Sequence, residues 1–146
     1  MTKIRAVSAA DRSAWQPLWD DYLVFYESEL PADTTDSVFA RIAADTDLHG
    51  AIAWGEEGEA LGLVHWLFHP STWSTSAYCY LEDLYVSPAA RGLGVGTALI
   101  EHVAAAANGA GASKVYWLTH QTNAAAQHVY EKVAERTGFI HFEIRP

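Results

Sequence analysis

The chain is poor in cysteine, in positive charge and in long apolar runs. Its one cysteine, Cys79, excludes an intrachain disulfide and is typical of a reducing compartment. Only 9 residues are Lys or Arg against 18 Asp or Glu, and they form no basic cluster of the kind that nucleic acids require. No apolar run approaches membrane-spanning length, and the N-terminus lacks the apolar core of a signal peptide. We therefore expect a cytoplasmic protein that binds neither nucleic acid nor membranes.

What the chain has in quantity is apolar and acidic residues. Half of its residues are apolar and 18% are charged, which is typical of globular rather than disordered proteins. A length of 146 residues fits one domain, and no linker or repeat divides it, so we expect a single domain over residues 1–146. The net charge of −9 favours cationic partners such as amines or basic peptides, although an acidic surface also serves solubility alone.

Hydrophobic periodicity predicts a mixed α/β sheet domain. A strand and two helices precede a three-strand meander, and a helix, a strand, a helix and a strand complete the chain. The first helix is expected to begin near Ser13, and the second at Thr35 or Asp36. The last two helices are expected over residues 97–107 and 123–136. The predicted strands are residues 3–8, 51–54, 61–69, 78–86, 114–119 and 138–144.

A glycine-rich turn follows the strand predicted over residues 78–86. It begins with Arg91 and has glycines at positions 92, 94 and 96. Glycines let backbone N–H groups approach a phosphate, and the N-terminus of the following helix adds partial positive charge. A Walker-type loop is excluded because its lysine is missing, and the dinucleotide fingerprint is excluded because position 97 is threonine.

Two motifs in this order resemble those of the Gcn5-related N-acetyltransferase (GNAT) superfamily. The first, Arg-x-x-Gly-x-Gly at residues 91–96, is similar to the family's acetyl-CoA signature. The second has the family's form Asn-x-x-Ala-x-x-x-Tyr-x-Lys, followed by Gly-Phe. Its matching residues are Asn123, Ala126, Tyr130, Lys132, Gly138 and Phe139. The resemblance covers about residues 50–144 and is closest to the diamine (spermidine/spermine) and histone/polyamine acetyltransferases.

This resemblance implies a fold and a cosubstrate. The implied fold is a mixed, mostly antiparallel sheet with a splayed central parallel strand pair, flanked by about four helices. The implied cosubstrate is acetyl-CoA, with no metal. The residues implied to bind it are Leu84, Tyr85, Val86, Arg91, Gly92, Leu93, Gly94, Val95, Gly96, Thr97, Asn123, Tyr130 and Lys132.

The chemistry of amine acetylation assigns roles to a few residues. By resemblance, Tyr130 is the acid that protonates the departing thiolate. An amine with a pKa of about 10.4 arrives protonated, so a carboxylate must accept its proton. Glu82 and Asp83 are adjacent on a strand and are expected to face opposite sides, and the resemblance favours Glu82 as the base. Weaker candidates for the acceptor site are Asp83, Tyr26 and Glu27.

The predicted function is acetyl transfer from acetyl-CoA to a primary amine of a polyamine, a diamine or a lysine side chain, by direct attack. Two alternatives remain: a protein or peptide lysine acetyltransferase, and an acyl-CoA-binding sensor without turnover. The sequence also departs from the family, because five residues separate Lys132 from Gly138 and only one strand follows where two are usual. An uncovered sheet edge is a liability, so we expect a second subunit to cover it in a homodimer.

Overall fold

The chain folds as a five-stranded sheet with helices on both faces. The structure, a computed structural model, describes residues 2–146. In chain order its strands are β1 Lys3–Ala6, β2 His49–Trp54, β3 Ala60–His69, β4 Tyr78–Val86 and β5 Val115–Tyr116. Its helices are α1 Arg12–Phe25, α2 Ala32–Ala44, α3 Val95–Gly109 and α4 Ala124–Tyr130. Short 3₁₀ turns lie at Ala9–Asp11 and Pro88–Ala90.

The sheet is mixed and mostly antiparallel. Its order is β1-β2-β3-β4-β5, and the first four strands pair antiparallel in sequence. β5 pairs parallel with β4. The predicted fold, with its parallel pair and four flanking helices, is therefore confirmed. The parallel pair is not central, however, because within residues 2–146 no strand lies beyond β5.

Apolar side chains form one core cluster on each face of the sheet. Alternation along β3 divides its residues between them, as a pleated strand buried on both faces requires. Val64 packs in the cluster that contains Leu99 of α3, whereas Leu63 packs in the cluster that contains Trp15 of α1 and Ile42 of α2. All five side chains are at most 1% exposed. β3 and β4 are thereby clamped between α1 and α3.

The helix boundaries differ from the predicted ones where backbone conformation overrides periodicity. α2 begins at Ala32, directly after Pro31, rather than at Thr35 or Asp36. α3 begins two residues before the predicted start, because the left-handed Gly94, with φ of 80°, ends the preceding loop there. None of the helices in residues 2–146 is long and apolar enough to cross a membrane.

The C-terminal part of the chain departs most from prediction. β5 has two residues rather than the six predicted, and α4 ends at Tyr130 rather than at position 136. Residues 138–144 pair with no strand among the described residues, so the predicted last strand is wrong as an element of this sheet. The segment carries strand-like alternation, but a strand exists only where a neighbour completes its backbone hydrogen bonds.

Candidate active site

A β-bulge in β4 determines where the two adjacent acids lie. His65 of β3 pairs with Asp83 and the next residue of β3 pairs with Leu81, which leaves Glu82 as an extra residue in the ladder. Leu81 and Leu84 both pack in the cluster against α3, although strict alternation would send them to opposite faces. Glu82 and Asp83 therefore share the other face, toward α1 and α2. The prediction that these acids face opposite sides is wrong, because alternation is interrupted at the bulge.

Both acids border one cavity beside α1 and α2. Its volume is about 180 Å³, and apart from His65 its other lining residues are apolar or aromatic, among them Trp19, Val38 and Ile42. The described lining residues include no lysine and no arginine. Two carboxylates at an otherwise apolar wall give the cavity a negative potential that attracts a cation.

A chain of hydrogen bonds fixes the tautomer of His65 and orients Asp83. The Trp15 indole Nε1–H donates to His65 Nε2 over 3.0 Å, and an indole nitrogen only donates. His65 Nε2 is therefore unprotonated, and Nδ1–H donates to Asp83 Oδ2 over 2.9 Å. The side chains of His65 and Asp83 are 6% and 15% exposed. The bulged strand thus holds the Asp83 carboxylate in a fixed position.

Glu82 is the less restrained of the two carboxylates. It is exposed to solvent at one side, and its side chain makes no hydrogen bond within residues 2–146. Partial burial, followed by the negative charge of Asp83, raises the pKa of Glu82, while His65 opposes the shift. Because a carboxylate with a raised pKa is a stronger base, Glu82 is suited to accept a proton.

Tyr22 of α1 and Tyr26, the residue that follows α1, lie next to one another near Asp83. Burial, followed by the charge of Asp83 and a hydrogen bond to it, raises the pKa of Tyr22. The ring of Tyr26 lies 4.9 Å from that of Tyr22, centroid to centroid, and its role toward the acceptor stays a prediction. Glu27 is exposed in a left-handed backbone conformation with φ of 52°. Sequence reasoning missed Tyr22, because helical spacing marks it only as an apolar packing residue.

Tyr130 is the last residue of α4. Its ring packs edge-on against Trp117 at 5.5 Å. Burial raises the pKa of Tyr130 to about 12, and a smaller contribution comes from Tyr26. The phenol therefore stays protonated through the neutral range, with a proton to donate to a thiolate whose thiol has a pKa of about 8.5.

A gap opens between the two parallel strands. β4 and β5 pair only at Cys79 with Val115 and at Tyr80 with Tyr116. β4 continues to Val86, and on this side its backbone has no strand partner beyond Tyr80. Its N–H and C=O groups on that side need hydrogen-bond partners from solvent or from a ligand. Leu84 and Val86 pack against the core on this stretch, whereas Tyr85 is buried on the α1 side.

The glycine-rich loop is open to solvent at the start of α3. Gly92 and Gly94 both have φ of 80°, and a Cβ at either would meet no atom within 4 Å. α3 has no side-chain cap, so the amide N–H groups of its first turn point into the loop without intrahelical acceptors. Arg91, which donates from Nε to the Val86 carbonyl over 3.3 Å, stands beside them. Free amides, a helix N-terminus and an arginine fit a diphosphate such as that of CoA.

The remaining predicted cofactor residues lie on or near α4. The Asn123 side chain accepts a hydrogen bond from the Ala126 amide over 3.3 Å and so caps α4. Lys132 is exposed in the turn that follows α4, and it forms no ion pair within residues 2–146. Leu93 is 71% exposed in the loop, whereas Val95 is buried and anchors α3. For Asn123 and Lys132, a role toward the cofactor stays a prediction.

Comparison with known proteins relates this geometry to one family. The family model for the acetyltransferase (GNAT) family matches residues 14–134. The D-amino-acid N-acetyltransferase HPA3 of Saccharomyces cerevisiae is 39% identical over 142 residues, which cover 96% of this chain and 88% of that protein. The uncharacterized N-acetyltransferase YhfO of Bacillus subtilis is 32% identical over 146 residues, covering 95% and 94%.

A solved structure shows the same fold. The structure of AAC(6')-Iy in complex with the bisubstrate analog CoA-S-monomethyl-acetylneamine superposes with a TM-score of 0.86. The match covers 100% of this chain and 99% of that one, at 21% sequence identity. The sheet, the helices on its two faces and the divergence of β4 from β5 thus belong to a fold already seen among acetyltransferases.

Proposed function

The chain belongs to the acetyltransferase (GNAT) family and is an N-acetyltransferase, and from this we propose that it acetylates a primary amine of a small cationic acceptor. The proposed acceptors, in order of preference, are polyamines, other diamines and lysine side chains. The observation that carries this proposal is the cavity bordered by Glu82 and Asp83 without a lysine or arginine among its described lining residues. A cationic amine is the ligand that such a wall attracts most strongly.

In the proposed reaction, acetyl-CoA supplies a thioester-activated acetyl group. The loop at residues 91–97 would hold its diphosphate, and the unpaired backbone of β4 near Val86 would hold its pantetheine arm and stabilise the oxyanion. Tyr130 packs against Trp117, which directly follows β5, so its phenol would act at the β5 side of this gap. The chain's residues thus separate cofactor binding from acceptor binding, with the reaction at their junction.

Proton transfer is the second task of the site. A primary amine with a pKa of about 10.4 must lose a proton before it can attack. Glu82, directly or through a water, accepts that proton, and Asp83 keeps the ammonium group at the cavity before deprotonation. Tyr130 donates a proton to the departing thiolate. The raised pKa of Glu82 and that of Tyr130, about 12, favour these opposite roles.

A second candidate acceptor is the α-amine of a D-amino acid. The relative from Saccharomyces cerevisiae, 39% identical to this chain, is named for that activity. Such an acceptor also carries a carboxylate, which needs a donor. Trp19 borders the cavity, and its indole N–H is buried without a partner within residues 2–146, so it is the group that favours this second acceptor.

The test is a CoA-release assay with acetyl-CoA and a panel of acceptors: spermidine, a short diamine, D-amino acids, free lysine and a basic peptide. Polyamine acetylation requires spermidine or the diamine to give the highest kcat/KM. A higher value for D-amino acids would establish the second candidate instead. Preference for the peptide would indicate a protein lysine acetyltransferase. Binding of acetyl-CoA without turnover of any acceptor would indicate a sensor module and overturn the proposal.

A further inference from the structure

Tyr80 of β4 lies on the same face of the sheet as the candidate base. Its neighbours along the strand, Cys79 and Leu81, both pack in the core cluster against α3. Because side chains alternate along a strand, Tyr80 faces the other side, as Glu82 does. It lies two residues before Glu82, which corresponds to roughly 7 Å of strand. Burial, followed by the negative charge of Glu82, raises the pKa of Tyr80 to about 12, so the two side chains are electrostatic neighbours.

Tyr116 of β5 stands beside Tyr80. The two residues are paired across the parallel strands, and their ring centroids lie 5.0 Å apart. Val115 and Trp117 pack in the cluster against α3, so Tyr116, between them, lies on the face that carries Glu82. Both tyrosines are half-buried, and neither belongs to a core cluster among residues 2–146. We call these two residues the tyrosine pair.

The orientation of Tyr116 is fixed by His69 of β3. His69 Nδ1 lies 2.8 Å from the Pro70 carbonyl oxygen, and a carbonyl oxygen only accepts, so Nδ1 carries the proton. In the neutral ring Nε2 is then the acceptor, and the Tyr116 hydroxyl donates to it over 2.7 Å. With its hydroxyl proton used in this way, Tyr116 offers a ligand chiefly the face of its ring.

A cation of the chain itself lies against this ring. The Lys114 ammonium is over Tyr116 at 5.5 Å from the ring centroid, and over Tyr78 at 4.2 Å. Lys114 is exposed, and it forms no ion pair in the described part of the chain. An ammonium within about 6 Å of an aromatic ring is attracted by the negative face of that ring. The Tyr116 ring is therefore reached by an ammonium group from the solvent side.

We propose that the tyrosine pair binds the second ammonium group of a diamine or polyamine whose first amine is acetylated beside Glu82. A chain of about four carbons, with bonds of about 1.5 Å, spans a length comparable with the separation of Tyr80 from Glu82 along β4. The exposed Lys114 would turn toward solvent when the acceptor binds. The inference rests on the proposed function, and it adds the group that distinguishes a diamine from a monoamine.

The first test compares putrescine with butylamine, the monoamine that has the same carbon chain. Tyr116→Leu removes the ring and should raise KM for putrescine by about 3- to 10-fold, with kcat/KM for butylamine within about twofold of wild type. Tyr116→Phe keeps the ring and should recover most of the loss. The matched control is Trp73→Leu, because Trp73 is 90% exposed in the loop between β3 and β4. Equal effects of Tyr116→Leu on both amines, or no effect on either, would overturn the proposal.

A second variant removes the cation that competes for the ring. Lys114→Gln should raise kcat/KM for putrescine severalfold, because it eliminates both the competitor and a repelling charge. The value for butylamine should change less. A fall in kcat/KM for putrescine would contradict the proposal, since it would show that Lys114 itself assists the acceptor.

Binding measured without turnover separates this inference from the proposed function. Isothermal titration calorimetry with CoA present gives the Kd of putrescine and of butylamine for the full chain. Tighter binding of putrescine that Tyr116→Leu abolishes would support the tyrosine pair even if no amine were acetylated, and only the proposed function would then fail. Acetylation of putrescine with a Kd that Tyr116→Leu leaves unchanged would overturn the tyrosine pair alone. Equal Kd values of the two amines in the wild type would also overturn it.

Discussion

At the scale of single residues, the candidate site contains two neighbouring carboxylates in different surroundings. Asp83 is hydrogen-bonded to His65, whereas the Glu82 side chain makes no hydrogen bond within residues 2–146, and partial burial and the charge of Asp83 raise its pKa. The family resemblance predicts Glu82 as the base and Tyr130 as the acid, and both roles stay predictions. The sequence had no means of identifying Tyr22 or His65, because an aromatic on a helix and a histidine on a strand are ordinary packing residues.

Replacing the proposed base should remove the acidic limb of the pH profile. In the wild type, kcat/KM should fall as pH drops through the raised pKa of Glu82, because protonation removes the base. Glu82→Gln should lower kcat/KM by about 10²- to 10⁴-fold and abolish that limb. Asp83→Asn should shift the limb to lower pH, since it removes a negative charge that raises the Glu82 pKa.

The control for this series is Glu101→Gln, at an exposed position of α3, which should leave the profile unchanged. If Glu82→Gln retained the kcat/KM of the wild type with the best acceptor of the panel, Glu82 would be excluded as the base.

Replacing the proposed acid should slow the reaction without weakening cofactor binding. Tyr130→Phe keeps the ring that packs on Trp117 and removes only the phenolic proton. We expect kcat to fall by about 10²-fold, with the affinity for acetyl-CoA, measured by calorimetry, within about twofold of wild type. With a pKa of about 12, the wild-type phenol should cause no alkaline loss of kcat below pH 10. An unchanged kcat at every pH would exclude this role, and Tyr78→Phe on β4 serves as the control.

At the scale of elements, the glycine-rich loop and the clamped β3–β4 pair position the site. In the loop, left-handed glycines turn the chain so that α3 begins with free amide N–H groups. In the strand pair, a bulge in β4 brings both acids to one face of the sheet. The first feature is local in sequence and was predicted from it. The second feature depends on the register between β3 and β4, which neither strand's sequence reveals by itself.

Substitution in the loop should weaken acetyl-CoA binding more than it affects stability. Gly94→Ala puts a side chain at φ of 80°, which costs about 1–2 kcal/mol, and places a methyl group where the diphosphate would approach. We expect the Kd for CoA to rise at least about tenfold. Gly58→Ala in the β2–β3 hairpin is the matched control, because it has φ of 81° and equally open surroundings. Equal Kd values in the two variants would exclude the loop as the diphosphate site.

Removing His65 should destabilise the clamp between α1, β3 and β4. His65→Leu leaves the Trp15 indole N–H and one oxygen of Asp83 buried without partners, which should lower the free energy of unfolding by about 2–4 kcal/mol. His65→Gln, which both donates and accepts, should recover part of this loss. The measurement is urea unfolding followed by tryptophan fluorescence. Equal stability of the two variants would show that hydrogen bonding at this position contributes little.

At the scale of the whole molecule, the two main features are the negative net charge and the unpaired edge of β5. The chain has a net charge of −9, and two carboxylates border the cavity, so the proposed cationic acceptor would be attracted from a distance. Among residues 2–146, neither the segment 138–144 nor the outer edge of β5 has a strand partner.

Salt should therefore lower kcat/KM more for a charged acceptor than for a neutral one. Raising NaCl from about 0.05 to about 0.5 M shortens the Debye length severalfold and should lower kcat/KM for spermidine several-fold. The same change should alter kcat/KM for a neutral amine, at matched acetyl-CoA saturation, much less. An equal effect on both acceptors would show that long-range attraction does not contribute to acceptor selection.

The family, the α/β class, the meander of β2 to β4 and the glycine-rich turn before α3 could all be predicted from the amino-acid sequence. These rest on local periodicity, on glycine conformations and on motifs that are contiguous in the chain. The three-dimensional structure was needed to show that Glu82 and Asp83 share one face and that Trp15 and His65, 50 residues apart in sequence, orient Asp83. It was also needed to show that the predicted last strand pairs with no strand among residues 2–146. The physical reason is that register, buried hydrogen bonds and strand pairing join distant segments, and alternation alone does not specify which edge a strand will join.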